Sequence, residues 1–116
     1  MVVDDETSLL KVTTRILEKA GYRVIPAKTG PEALQLFSAQ AENIQVVLTD
    51  YSMPGMNGLE LASALKKIRP ETSIILNSGL GETMNVDQLT LAGVNLLIKK
   101  PFTSEILLKG IQEVQG

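Results

Sequence analysis

Four short apolar runs in this chain each stop at a residue that can do chemistry, and that arrangement narrows the available folds more than any other feature. Met1-Val2-Val3 runs into Asp4-Asp5, and Val46-Val47-Leu48-Thr49 into Asp50. Ile74-Ile75-Leu76-Asn77 runs into Ser78, and Leu96-Leu97-Ile98-Lys99 into Lys100-Pro101. Runs that are apolar almost throughout suit strands covered on both faces. Longer segments of helical period separate them, and that alternation predicts an α/β parallel sheet. In such a sheet the C-terminal strand ends share one edge, where open α/β folds bind ligands. Three carboxylates, a hydroxyl and an ammonium would meet there.

The elements follow from period and punctuation. Met1 to Val3 reads as the first strand. A helix follows from about Ser8, with Thr7 as a cap, Leu9, Val12, Ile16 and Ala20 facing inward, and Gly21 at its end. Arg23 to Ala27 reads as a second strand, and Thr29-Gly30-Pro31-Glu32 as a helix start with proline in the first turn. Ala33, Leu34 and Phe37 supply that helix's buried stripe. Ile44 to Thr49 is the third strand, and Ser52 to Gly58 a loop of turn residues. Asn57 caps a helix with Leu61, Ala62, Leu65 and Ile68 inward, which Arg69-Pro70 ends. Ser73 to Asn77 is the fourth strand. A helix from Thr83 to Ala92 has a poor stripe in Met84, Leu89 and Leu91, and Gly93 closes it. Val94 to Lys99 is the fifth strand. Thr103 or Ser104 caps a last helix carrying Leu107, Leu108, Ile111 and Val114.

Residues 1–116 contain no linker, repeat or low-complexity tract, so they read as one domain with one core. The first strand is short for a central one, and the last helix stops at Gly116 with little tail. The chain therefore reads as a domain cut from a longer protein. Its hydrophobic fraction of 44 % is that of a globular protein, with no bilayer-spanning stretch and no secretory signal. A net charge of −2 offers no electrostatic grip on nucleic acid. These features lead one to expect a cytoplasmic domain that touches neither nucleic acid nor membrane.

Missing residue types narrow the chemistry. Without Cys there are no disulfides, thiolate nucleophiles or Cys-based zinc sites. Without His there is no Ser-His-Asp triad, no imidazole ligand and no phosphohistidine on this chain. Aromatic residues make up 3 %, so stacking platforms are scarce. Acid–base or phosphoryl chemistry must use carboxylates, lysine and hydroxyls.

Each feature alone has a plain explanation. Asp4-Asp5 would favour the start of a helix, Ser78 a turn, and Lys100 a solvated surface. In strand-end register they are far less apt to coincide by chance. Asp4, Asp5 and Asp50 held together repel one another unless a cation intervenes, and an all-oxygen set without His suits Mg2+. Asp50, at the end of a buried strand, is placed as a nucleophile toward phosphorus. Lys100 and Ser78 would stabilise the charge spread over the phosphoryl oxygens.

At these residues the chain resembles the receiver domain of two-component response regulators. The Asp4-Asp5 pair, the block Asp50-Tyr51-Ser52-Met53-Pro54-Gly55-Met56-Asn57-Gly58, Asn77-Ser78-Gly79 and Lys100-Pro101-Phe102 carry the resemblance, which covers nearly the whole chain. It implies a flavodoxin-like (βα)5 fold, strand order 2-1-3-4-5, with helices on both faces. It implies Asp50 as phosphoacceptor, with Mg2+ on Asp5, Asp50 and the Ser52 backbone carbonyl, and on Asp4 through water. Ser78 would bond the phosphoryl group, Lys100 would pair with it, and the bond before Pro101 would be cis. The partner implied is a histidine kinase or histidine phosphotransfer domain, and pairing into a homodimer would use the fourth and fifth helices and the strand between them.

The wording around Asp50 and Ser78 looks most like receivers attached to hybrid sensor histidine kinases. Leu97 stands where the family usually carries an aromatic residue. The phosphorylated form would switch the loop after Ser78 and the weak fourth helix to alter partner binding. The domain is consumed rather than turned over, so it is not an enzyme in the ordinary sense. A degenerate receiver that docks partners without phosphorylation is the alternative, and the intact acid cluster argues against it. A magnesium phosphatase is disfavoured because its second aspartate would stand at Ser52.

Overall fold

The computed structural model describes residues 1–79 and 81–115. Its elements are β1 (Val2–Val3), α1 (Thr7–Lys19), β2 (Pro26–Ala27), α2 (Gly30–Gln40), a 3-10 turn (Ala41–Asn43), β3 (Val46–Asp50), α3 (Gly58–Ile68), β4 (Ser73–Ser78), α4 (Val86–Ala92), β5 (Leu96–Lys99) and α5 (Ser104–Gln115). The strands form one sheet in the order β2-β1-β3-β4-β5, with every neighbouring pair parallel. The expected topology is therefore present. The expected stop of the last helix at Gly116 lies outside the described residues.

Two apolar layers sandwich the sheet. On one face Leu10 and Leu17 of α1 and Leu107 and Ile111 of α5 pack with Val2, Leu48, Ile75 and Ile98. On the other, Ala33 and Phe37 of α2 and Leu61, Ala62 and Leu65 of α3 pack with Val3, Val47 and Ile74. Phe37, Leu61, Leu65, Ile74, Ile75 and Leu76 are fully buried, each worth about 1.5–3 kcal/mol of apolar transfer.

Local signals explain most helix ends. Asn57 and Glu60 form a reciprocal capping box at the start of α3, and the Thr29 side chain accepts from the Glu32 N–H at α2. Thr103 Oγ1 accepts from the Ile106 N–H at α5. The helix α4 starts three residues later than its pattern suggests. Asn85 takes the cap, its side chain accepting from the Asp87 N–H, and α4 buries none of its residues.

The chief correction concerns α1. Leu10, Thr13 and Leu17 face the core, whereas Leu9 and Val12 are exposed. The adjacent Leu9 and Leu10 start two stripes one residue apart, and the inward one contains a threonine that period alone counts as polar. Thr7 does not cap α1 either, because Glu6 holds that position. Ile68 of α3 is also exposed rather than inward. The second strand covers only Pro26–Ala27, because β1 offers just Val2 and Val3 as partners.

Candidate functional site

The parallel register brings the C-terminal ends of β1, β3, β4 and β5 to one edge. Asp50 of β3 lies level with Asn77 of β4, and Ser78 lies level with Lys99 of β5. Asp4 and Asp5 follow β1 directly, and β1 is hydrogen-bonded beside β3. Asp4, Asp5 and Asp50 each offer a carboxylate oxygen within 4.8 Å of the others. Asp4 and Asp50 are buried and Asp5 is exposed, so the cluster has a wet side and a dry side.

Lys100 closes the dry side. Its Nζ lies 3.2 Å from Asp50 Oδ1 and 3.7 Å from Asp4 Oδ2. Backbone bonds fix both residues: the Lys100 N–H donates to the Ser78 carbonyl and the Tyr51 N–H to the Asn77 carbonyl, each at 2.8 Å. The Lys100–Pro101 peptide is cis. Asp4 also accepts the Glu6 N–H on Oδ1, so it holds the turn that leads into α1 as well as facing the cluster.

Burial pushes the Asp50 carboxyl above its ordinary range. Lys100 pulls it down, while Asp4 and Glu82 push it further up. Glu82 is a site neighbour that the strand-end pattern does not reveal, since it comes from the loop after β4. Its Oε1 accepts the Gly79 N–H, which folds that loop back toward the site. Only its place shortly after Ser78 could have drawn attention to it.

Ser78 is fully buried, and its Oγ has no hydrogen-bond partner among the described residues; the Oδ1 of Asn77 likewise has none among them. Buried hydroxyls are normally satisfied, so the orphan at the strand end leaves a donor that an incoming oxygen could use. Ser52 lies exposed in the turn two residues beyond Asp50. Gly58 holds that turn against the strand. A Cβ there would stand 2.5 Å from both the Asp50 carbonyl and Leu76 Cδ1.

The converging carboxylates fit a divalent cation. All three are hard oxygen donors, and the field of Asp4 and Glu82 on Asp50 is what such an ion would offset. Beside them a cavity of about 420 Å3 runs along α1, lined by Leu9, Val12 and Ile16 and by Phe102, with Asn77 and Lys100 at its inner end. The outward stripe of α1 thus opens next to the acids.

The family model for the response regulator receiver domain matches residues 1–112. Among curated proteins, the chain is similar to a chemotaxis protein CheY homolog of Campylobacter jejuni, 36 % identical over 122 residues, covering 100 % of this chain and 91 % of that protein. Among solved structures it is similar to a response regulator receiver domain protein from Clostridium thermocellum, with a TM-score of 0.88, 32 % identity, and coverage of 97 % of this chain and 90 % of that one. A CheY-like receiver domain protein from Methanospirillum hungatei gives a TM-score of 0.85 at 36 % identity, covering 97 % of this chain and 88 % of that one.

Proposed function

The chain belongs to the response regulator receiver domain family, and on that premise we propose that it takes a phosphoryl group onto Asp50 and signals through the change that follows. One observation carries this reading. A buried aspartate lies among two further carboxylates, is paired with Lys100, and ends a strand beside the one that ends in an unpartnered serine hydroxyl.

In the reaction proposed, a carboxylate oxygen of Asp50 bonds to the phosphorus of a donor phosphohistidine. The P–N bond breaks, its electron pair stays with the donor imidazole, and Asp50 becomes an acyl phosphate. Lys100 offsets charge on the phosphoryl oxygens, and the Ser78 O–H donates to another of them. Asp5 and Asp50 would hold Mg2+ directly, with Asp4 through water and the Ser52 carbonyl completing the protein ligands. Bound there, the cation would neutralise both the carboxylates and the incoming phosphoryl group. Because the product is the modified domain itself, the chain acts as a consumed substrate of its donor.

The chain has no His, so the donor histidine belongs to another domain or protein, a histidine kinase or a histidine phosphotransfer domain. A donor reaching Asp50 must cover the rim beside Asp4 and Lys100. The apolar groove of Leu9, Val12, Ile16 and Phe102 opens on that rim, and the reading seats the donor's apolar helix face there. The sequence block around Asp50 supports the narrower reading of a receiver within a hybrid sensor kinase.

The test is phosphorylation by acetyl phosphate with Mg2+, followed by intact mass. The natural chain gains an acid-stable, base-labile phosphoryl group, and Asp50→Asn gains none while keeping its fold. Labelling of Asp50→Asn at an unchanged rate would move the acceptor elsewhere.

A further inference from the structure

The hydrogen-bond phase of β4 fixes where the chain points its donors as it leaves the sheet. The Ser73 N–H donates to the Gln45 carbonyl at 3.0 Å, and the Asn77 carbonyl accepts the Tyr51 N–H at 2.8 Å, both on the β3 side. The Ser78 carbonyl accepts the Lys100 N–H at 2.8 Å on the β5 side. Successive residues of a central strand bond to opposite neighbours. Odd-numbered residues of β4 therefore face β3, and even-numbered ones face β5. Gly79, the first residue beyond β4, continues the odd series. Its N–H faces the end of β3, where Asp50 stands.

In a continued ladder that N–H would meet the Tyr51 carbonyl. But β3 ends at Asp50, and the Tyr51 carbonyl takes the Gly58 N–H at 2.8 Å instead. The acceptor that Gly79 finds is the Glu82 carboxylate, through Oε1. A second bond ties the same two residues, the Glu82 N–H donating to the Gly79 carbonyl at 3.3 Å. The half-buried Glu82 is thereby carried to the β3 side of the strand end, and its charge is felt at Asp50, whose carboxyl it helps to push up. It adds like charge to a site that already holds Asp4, Asp5 and Asp50. An anion settles there because the Gly79 N–H offers it a charge-assisted hydrogen bond.

We propose that Glu82 is a resident competitor of the phosphoryl group: its carboxylate occupies the Gly79 N–H that an oxygen of that group would take, and it must leave before the group is held in full. The inference rests on Asp50 as phosphoacceptor and adds a residue that sets how readily the acceptor is loaded. The Ser78 hydroxyl is independent support. It is fully buried, has no partner among the described residues and immediately precedes the Gly79 N–H, so one strand end offers two adjacent donors. A phosphoryl group has an oxygen for each of Lys100, Ser78 and Gly79. It carries more charge than a carboxylate and makes the stronger hydrogen bonds. Glu82 therefore impedes loading twice, by filling a donor and by repelling the incoming anion. It touches no reacting atom and acts through Gly79 and through its field, as a positioning residue.

Two variants separate the two effects. Glu82→Gln keeps an oxygen for the Gly79 N–H and drops the charge, whereas Glu82→Ala drops both. At one subsaturating concentration of acetyl phosphate, with saturating Mg2+, Glu82→Gln is expected to label about threefold faster than the natural chain. Glu82→Ala is expected to label about tenfold faster or more. A residue that only shaped this turn would slow labelling when truncated, so the direction of the change identifies the role. In the natural chain, beryllofluoride with Mg2+ should shift the carboxyl carbon resonance of Glu82 to the position of a solvated glutamate. A Glu82→Ala chain that labels no faster, or a Glu82 resonance unmoved by bound beryllofluoride, would overturn the assignment and leave Asp50 as acceptor. A natural chain that takes no label where Asp50→Asn also takes none would sink the phosphoacceptor reading itself, and this inference with it.

Discussion

Asp50 is under opposed forces, and their balance is measurable. Burial raises its carboxyl pKa, Lys100 lowers it, and Asp4 and Glu82 raise it again, with a net upward displacement from 3.8. The folded chain then holds that proton to higher pH than the unfolded chain does. Stability conferred by the protonated form is full below about pH 3.8 and is lost as pH rises through the displaced value. With a chelator present, Asp50→Asn should therefore melt a few degrees above the natural chain at pH 7, and the gap should shrink as pH falls toward 4. Thermal melts over that pH range check this. A gap that widens on acidification would reverse the assigned sign. Ser78 adds a second residue-scale feature, since a buried unpartnered hydroxyl costs roughly 1–3 kcal/mol until an oxygen reaches it.

Among the elements, β3 and its following turn depend on a glycine. A Cβ at Gly58 would press on the Asp50 carbonyl and Leu76 at 2.5 Å, and the carbonyl is backbone that cannot swing away. Gly58→Ala is expected to cost about 1–3 kcal/mol by overpacking and to displace the acid turn. Urea unfolding and acetyl phosphate labelling should both worsen. The helix α1 makes a different prediction, because Val12 is exposed on the groove and outside the core. Val12→Asp should leave stability within about 0.5 kcal/mol and acetyl phosphate labelling unchanged. It should slow transfer from a phosphohistidine donor protein tenfold or more, and unaltered transfer kinetics would remove the donor from that groove.

These elements also show where sequence reasoning stops. Apolar runs that end in Asp50, Ser78 and Lys100 were readable because a buried strand and its polar terminus differ sharply in composition. The orientation of α1 was not readable, since Leu9-Leu10 supports two faces and tertiary packing chose the one containing Thr13. The extent of β2 was hidden as well, because a strand needs a partner and β1 supplies two residues. Glu82 reaches the site through a loop fold-back that no period encodes.

For the whole molecule, the acids gather at the adjacent ends of β1 and β3, at the centre of the sheet. A cation bound there binds only the folded chain and must raise its stability. One hundredfold above its dissociation constant the gain is about 2.7 kcal/mol. Melting temperature should climb with the logarithm of Mg2+ concentration. In Asp5→Asn the climb should begin at least tenfold higher, with the metal-free melting point equal or raised by loss of a like charge. A melting point indifferent to Mg2+ in the natural chain would dismiss the metal assignment.

The seven-residue α4, which buries nothing and leaves Val86 and Leu91 largely in water, gives the molecule an inexpensive degree of freedom. Moving a helix out of a packed interface would forfeit several buried side chains at once. Reseating this one forfeits no fully buried side chain, only the partial packing of residues such as Ala92. A bias of only about 1.4 kcal/mol between two seats then changes their ratio tenfold. On the proposed reading, phosphorylation at the neighbouring strand end would need little energy to be read at α4.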